Sequence, residues 1–373
     1  LTFHLFRKKY DCVLTFTPKG GLLGMIASFI CRTKFRIHWF GGQVWANKLG
    51  FIKYTLKSFD KLISILSTNA LTECESQKIF LQQEMIVKSN YLKVLGNGSI
   101  CGVDTLKFKP NKKIRITLRN KFQIPDDNFI ILYLGRLNKD KGVLDLSTAS
   151  NYILKKFDNI HFMYVGPDEE NIKNKIINKN RSYKKRIHFE DFTDKPEQYM
   201  AAADLFCLPS YREGFGMAAV EAGSCGLPVI TSKIYGLTDA VEEGVTGLMH
   251  PPGDVQAICD QIFYIYNNKK LALQMSKKGR QRAKNLYNYN NVSLNLFQYI
   301  ESKIQNILNP KKKLAIIAST SLSISCFLIN HVNNFSKFYD VTIITKIDPI
   351  HNLDKKLNKT CNLINLNFNR NIN

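Results

Sequence analysis

The sequence predicts an α/β protein with parallel sheets covered by helices on both faces, divided into two domains. Three observations predict it. Short apolar runs alternate with helical stretches along nearly the whole chain, as in parallel strands joined by crossover helices. Several runs end in glycine-rich loops that lead into helices, notably residues 135–142 and 210–226. A chain of 373 residues is long enough for two cores.

The elements follow in order. Residues 1–10 have helical apolar spacing that leaves Arg7, Lys8 and Lys9 outside. Residues 12–16 read as a buried strand, 17–21 (Thr-Pro-Lys-Gly-Gly) as a loop and 22–31 as a helix. A strand at 35–40 ends in Gly41-Gly42-Gln43. A helix through 48–58, a strand at 61–66, a helix at 75–83 and a strand at 91–95 follow. Residues 102–110 read as a connection between domains. The second half has strands at 129–134, 160–165, 187–190, 205–208 and 227–230, with helices between them. An amphipathic helix at 255–266 and a long helical region at about 271–308 close it. The tail begins at Lys311 and reads as a strand at 314–318, a loop at 319–321, a helix at 324–335 and a strand at 340–345. A short apolar run at 361–366 precedes Asn369-Arg370. The run at 314–318 is hydrophobic throughout, as a central parallel strand is, and is expected to lie beside 12–16 with Asn373 near Leu1.

The net charge of +23 implies a negatively charged partner, although Lys, Asn and Ile are used heavily throughout and part of the excess is compositional. The nine cysteines are odd in number and contain no Cys-x-x-Cys pair, which argues against a disulfide framework and against zinc. The nearest approach to a membrane span, 315–329, is short and rich in Ser and Thr. The chain opens on Leu1 within a helical pattern, with no signal peptide, and is expected to have a cut or rearranged end.

Chemistry concentrates in residues 210–226, Ser-Tyr-Arg-Glu-Gly-Phe-Gly-Met-Ala-Ala-Val-Glu-Ala-Gly-Ser-Cys-Gly. Gly214 and Gly216 let backbone N–H groups approach a ligand at a helix start, a setting that favours anions. Glu213 sits in the loop and Glu221 in the helix. A solvated helix with two surface acids would carry Lys, Gln and Asn; here Ala, Gly, Val and Met surround the carboxylates. The loop Gly135-Arg136-Leu137-Asn138-Lys139-Asp140-Lys141-Gly142 also follows a buried strand. Loops after parallel strands share one edge, so Arg136, Lys141 and Glu213 are expected to meet there. Arg offers a fork of donors to phosphate oxygens and Lys a compact point charge.

The segment 210–226 resembles the Glu-x7-Glu motif of retaining glycosyltransferases with the GT-B fold, family 4. The flanks match too: Ala201 to Asp204, Pro209-Ser210 and Gly226-Leu227-Pro228-Val229. Residues 102–110 resemble that family's Gly-Val-Asp…Phe-x-Pro linker. Residues 36–46 and 96–104 resemble its capsular and lipid-linked polysaccharide branch. The resemblance implies two Rossmann-like domains whose parallel sheets face across a cleft. Residues 1–109 would be the acceptor side and 110–292 the donor-nucleotide domain, with 293–310 a helix returning to the first domain. Residues 311–373 resemble the start of a family first domain and would complete 1–109, so the chain looks permuted or cut from tandem copies.

By the same resemblance Glu213 would contact the donor sugar, Glu221 the ribose, and Arg136 and Lys141 the diphosphate. Gly135, Gly214, Phe215, Gly216 and Met217 would line the nucleotide site. Relatives carry a His at the tip of the strand matching 35–40. Here that tip is Gly41-Gly42, and His38 is the catalytic candidate although it falls inside the strand, where a histidine is more often structural. Lys19, Gly20 and Gly21 are acceptor-side or phosphate candidates. No Asp-x-Asp stands in a metal-like setting, and no cofactor or metal is expected beyond a nucleotide-sugar co-substrate, uridine diphosphate being the favoured carrier. The implied acceptor is a lipid-linked saccharide, and the implied place is the cytoplasmic face of an anionic inner membrane. No nucleic-acid partner is expected. The rivals are a glycoside hydrolase, which uses two carboxylates but needs no phosphate loop, a sugar-nucleotide epimerase of similar fold, and a non-catalytic fragment.

Overall fold

The computed structural model describes residues 1–88, 91–305, 312–349, 353–357 and 361–366. In chain order the first stretch holds α1 (Thr2–Lys8), β1 (Cys12–Thr15), α2 (Pro18–Ile30), β2 (Phe35–Phe40), α3 (Gly50–Leu66), β3 (Asn69–Thr72), α4 (Glu75–Gln83) and β4 (Leu92–Val94). The middle holds α5 (Lys112–Lys121), β5 (Phe129–Leu134), α6 (Val143–Lys156), β6 (Ile160–Val165), α7 (Ile172–Lys179), β7 (Ile187–Glu190), α8 (Pro196–Ala202), β8 (Leu205–Leu208) and α9 (Met217–Ser224). It continues through β9 (Val229–Ser232), α10 (Leu237–Ala240), β10 (Gly247–His250), α11 (Val255–Asn267) and α12 (Lys269–Leu286). The last stretch holds α13 (Tyr289–Ile304), β11 (Lys313–Ile317), β12 (Asp340–Thr345) and β13 (Asn362–Asn365).

These elements form two compact units. One joins Leu1–Gly102 to the described part of Tyr289–Asn373, and the other is Val103–Asn288. The first unit's sheet runs β13-β12-β11-β1-β2-β3-β4 and the second's β10-β9-β8-β5-β6-β7. Every pairing is parallel. All four residues of β1 are buried, as expected for a strand with helices on both faces.

The apolar run after Lys313 takes the place expected for it. β11 pairs with β1 in the register Cys12↔Leu314 to Thr15↔Ile317. Leu314, Ala315, Ile316 and Ile317 are at most 1% exposed, and each large side chain so buried contributes about 1.5–3 kcal/mol. The expectations for the helix beyond Gln305, for Lys311, for Asn369-Arg370 and for Asn373 near Leu1 fall outside the described residues.

Several local readings are corrected. Residues 18–21 are the first turn of α2 rather than a loop, because Pro18 lacks the N–H that a first helical position leaves unpaired anyway. Residues 61–66 are the end of α3 and not a strand. Asp60 and Ile63 face inward at helical spacing while Lys61, Leu62 and Ile65 stay exposed. Trp45 Nε1 donates to Asp60 Oδ2 at 2.7 Å, and burial pushes that carboxyl up to about 6 against the hydrogen bond. The strand is Asn69–Thr72 instead. The long helical region is broken between α12 and α13, where Tyr287 leaves helical geometry and its carbonyl accepts from Val103 N at 2.7 Å. Helix α5 and strand β10 lay in segments not assigned from the sequence. Helix α5 is tied down by Arg119, fully buried, which donates to Asp204 Oδ2 at 2.6 Å and to four backbone carbonyls. Among the described residues no helix is long and apolar enough to cross a membrane.

If β11 is an integral strand of the first core, Ile316→Ala should lower its stability by roughly 2–5 kcal/mol. Thermal unfolding followed by circular dichroism would show this as an earlier transition; an unchanged melting profile would mean the strand adds nothing to the core.

Candidate functional site

In the second unit, β5 and β8 are neighbours, pairing at Ile131↔Leu205 and Leu132↔Phe206, so the loops that follow them emerge side by side. The approach of those loops is very close. Gly142 has φ +65°, and a Cβ built there would lie 1.9 Å from the Pro209 carbonyl oxygen. Only glycine allows that contact. Tyr211 N donates to Asp140 O at 2.9 Å, which adds a backbone link between the loops.

This contact brings the predicted side chains together. Lys141 Nζ lies 2.6 Å from Glu213 Oε1, and the same oxygen accepts from Ser210 Oγ at 2.8 Å. Both members of the ion pair are largely enclosed, at 17% and 14% exposure. Arg212 reaches Asp140 at 3.3 Å, and Tyr211 Oη donates to Asp145 Oδ2 at 2.7 Å. Arg136 stands on the same edge, half exposed and paired with Glu169 from the loop after β6.

Glu221 is on α9. Burial pushes its carboxyl up to about 8, with Lys107 opposing and Glu197 reinforcing the shift. Lys107 and Glu197 pair at 3.4 Å. Gly216 starts α9 with φ +81°, and Leu237 closes the space a side chain there would need. Phe215 is fully buried, with its ring 5.1 Å from that of Tyr287, so its side chain packs inside the unit. Met217 is also buried. Gly135 lies where the loop crosses Gly166, whose Cβ position would be 2.1 Å from Gly135 O. Glu169, Ser210, Asp145, Lys107 and Glu197 were missed as participants. The loop rule applied to Gly166-Pro167 after β6 points to that loop, which carries Asp168, Glu169 and Glu170, without singling out Glu169.

In the first unit His38 is corrected as a catalytic candidate. It is 2% exposed, with Nδ1 2.7 Å from Thr15 Oγ1 and its ring edge-on to Phe40. Burial pulls it down to about 3, so it stays neutral. A Cβ at Gly21 would strike the ring at 2.3 Å, so α2 closes directly over it. Gly20 and Gly21 are buried in the first turns of α2, and Lys19 lies beside them. Thr17 Oγ1 donates to Ser319 Oγ at 3.0 Å, joining the loops after β1 and β11. At the ends of β2 and β3, Gln43 and Gln77 both donate to Gly41 O, and the buried Glu73 is anchored through its backbone to Gln77 and Ser99. Among the described residues no group of three or more His, Cys, Asp or Glu is placed to hold a metal ion.

The second unit's edge can therefore hold an anionic ligand against Lys141 and Arg136 and a polar one against Glu213 and Glu221. The family model described as glycosyl transferases group 1 matches residues 114–282. The capsular polysaccharide biosynthesis glycosyltransferase CapM of Staphylococcus aureus is 32% identical over 294 residues, covering 77% of this chain and 75% of its own length. The UDP-Gal:alpha-D-GlcNAc-diphosphoundecaprenol alpha-1,3-galactosyltransferase of Escherichia coli is 26% identical, covering 76% of this chain and 73% of its own. Among solved structures, Anabaena HepE in complex with UDP matches with a TM-score of 0.70 at 21% identity, over 81% of this chain and 82% of its own; this likeness shows the GT-B fold.

Gly142→Ala should destabilise the second unit by at least about 1–2 kcal/mol, the cost of a left-handed non-glycine residue, before the clash with Pro209 is relieved. Chemical denaturation would measure it. A variant as stable as the parent would show that the loops are free to separate.

Proposed function

The chain belongs to the glycosyl transferases group 1 family, and from that membership we propose that it moves a sugar from a uridine diphosphate donor to a lipid-linked saccharide, with retention at the anomeric carbon. The observation that carries the reading is the Lys141–Glu213 contact at the shared end of β5 and β8, which unites a cation for a leaving diphosphate with a carboxylate for sugar hydroxyls. The names of the relatives support polysaccharide synthesis and a diphosphate-linked lipid acceptor.

The roles follow from charge. As the sugar–phosphate bond breaks, negative charge grows on the leaving diphosphate, and preset cations stabilise it more than they stabilise the ground state. Arg136 and Lys141 supply those cations. Glu213 orients the donor sugar and Glu221 the ribose, with backbone N–H groups of Gly214 to Met217 at the start of α9 facing the donor. The acceptor hydroxyl attacks from the side the leaving group occupies, and a phosphate oxygen takes its proton. No resident cofactor or metal is assigned to these steps. Release of uridine diphosphate from a panel of donors, with the anomeric configuration of the product read by NMR, tests the reaction. Inversion would overturn the retaining mechanism, and no release with any donor would favour a non-catalytic protein.

The pH dependence has a definite sign. The free Glu221 carboxyl, raised to about 8, is protonated at neutral pH. Ribose hydroxyls that donate to it favour the ionised form and lower its pKa in the complex. Affinity for uridine diphosphate should rise as pH climbs through about 8, and binding at neutral pH should release a proton. Calorimetry in two buffers of different ionisation heat would detect the release. Glu221→Ala should abolish it and weaken binding about tenfold. A flat profile in the parent would remove Glu221 from the ribose site.

We place the protein at the cytoplasmic face of an anionic membrane, docked through the first unit. Helices α1, α2 and α3 pack in series and expose Phe3, Phe6, Ile30, Phe51, Ile52 and Ile65, with Arg7, Lys8, Lys9 and Lys61 nearby in the sequence. Lys57, by contrast, is already paired with Glu84 at 2.6 Å. Each basic residue near such a surface contributes about 1 kcal/mol, falling with salt. Sedimentation should show binding to anionic vesicles that salt reverses. Equal binding to neutral vesicles would refute charge-led docking.

A further inference from the structure

We propose that the Glu169 carboxylate occupies an anion site built by Arg136 and Asn138, and that a phosphate oxygen of the donor diphosphate displaces it. The proposal rests on the reading that Arg136 meets the diphosphate. The observation behind it is that one carboxylate collects the donors of the loop after β5. Arg136 Nη1 donates to Glu169 Oε1 at 3.1 Å and to Oε2 at 3.0 Å. Asn138 Nδ2 donates to Oε2 at 2.9 Å. The Asn138 side chain is 7% exposed and its Oδ1 has no partner among the described residues, so its bond to Glu169 is a large part of what satisfies a buried amide.

These contacts do not hold the loops in place. Leu137 N donates to Pro167 O at 2.8 Å, Glu169 N to Leu137 O at 3.2 Å, and Gly135 N to Val165 O at 2.9 Å. Tyr133 Oη donates to Arg136 O at 2.8 Å. The backbone thus fixes Arg136 and Asn138 whether or not the carboxylate is there. The pair itself is open to water, at 48% and 41% exposure, and ion pairs of that kind are weak. Lys141 and Glu213, at 17% and 14%, are enclosed and share Ser210. Glu169 is therefore the cheaper of the two counter-ions to move. A diphosphate brings more charge and more acceptor oxygens than a carboxylate, so it inherits both donors when Glu169 swings into solvent. Glu169 occupies the side-chain donors of Arg136 and Asn138 without a donor sugar nucleotide present, and it competes when one arrives.

Titration calorimetry of the full chain with uridine diphosphate and with uridine tests this. Glu169→Gln should bind uridine diphosphate roughly two- to fivefold more tightly, the range expected for an exposed ion pair, and uridine no differently. Glu169→Ala should shift in the same direction. Arg136→Ala should lose about tenfold, and adding Glu169→Gln to it should restore less than the same change gains in the parent. If Arg136→Ala weakens binding while both Glu169 variants bind as the parent or worse, the counter-ion role is overturned and the site assignment stands. Equal tightening for uridine also overturns it, because uridine has no phosphate. If Arg136→Ala binds unchanged, Arg136 does not meet the diphosphate, and the site reading fails together with the proposal.

Discussion

The loop edge of the second unit depends on one constraint: the loops after neighbouring strands touch through their backbones. Strands in a sheet lie about 4.8 Å apart, too close for two loops with side chains between them. Gly142 solves this by offering hydrogen where any other residue would meet the Pro209 carbonyl, and Gly166 does the same against Gly135. With the backbones in contact, short reaches suffice. Lys141 and Glu213 are 72 positions apart in sequence and still meet at 2.6 Å. A looser crossing would leave each charge to water and would dissolve the site without unfolding either strand.

The same edge sorts its charges by enclosure. Lys141 and Glu213 are shielded and share a third partner, so their geometry is held in advance of any ligand. Arg136 and Glu169 are exposed and exchangeable. Glu221 is a third case, since burial holds its carboxyl near neutrality where the others are compensated by cations. Three acids on one sheet edge thus have three electrostatic states. Under the proposed function, the enclosed pair is the one suited to orient a reacting sugar, because a group that need not reorganise acts at full strength when charge develops.

Much of this was legible in the sequence where local and long-range signals agreed. Residues 129–134, 160–165 and 205–208 are short and mostly apolar, 187–190 and 340–345 are short with apolar and polar residues mixed, and all are strands over those ranges. The pairing of β11 with β1 was legible because an all-apolar strand has no stable place but a sheet centre. Residues 61–66 misled because an apolar run says little about period, and only Asp60 facing Trp45 reveals the helix. His38 was correctly placed inside its strand by position, but its burial beneath Gly21 required the helix start at Pro18, which had been read as a loop. Glu169 was not legible as a partner of Arg136, since nothing in the spacing of the loop after β6 says which carboxylate turns toward the loop after β5.

The two units apply one edge rule to different chemistry. In the second unit the loops after β5, β6 and β8 present Arg136, Lys141, Arg212, Glu169 and Glu213. In the first, the loops after β1, β2, β4 and β11 carry Thr17, Gly41, Gln43, Ser99 and Ser319, of which Gln43 and Ser99 are buried, with Lys19 in the first turn of α2 and the buried Glu73 after β3. Hydroxyls and amides both donate and accept, at little desolvation cost compared with paired ions. An edge of that composition discriminates among neutral, hydroxyl-rich groups by direction, whereas a charged edge discriminates by charge. On the proposed reading, an anionic ligand on one unit and a saccharide on the other would match what each set of strand ends carries. The His38 ring is withdrawn into the first sheet beneath the start of α2, where only the missing side chain of Gly21 leaves room for it.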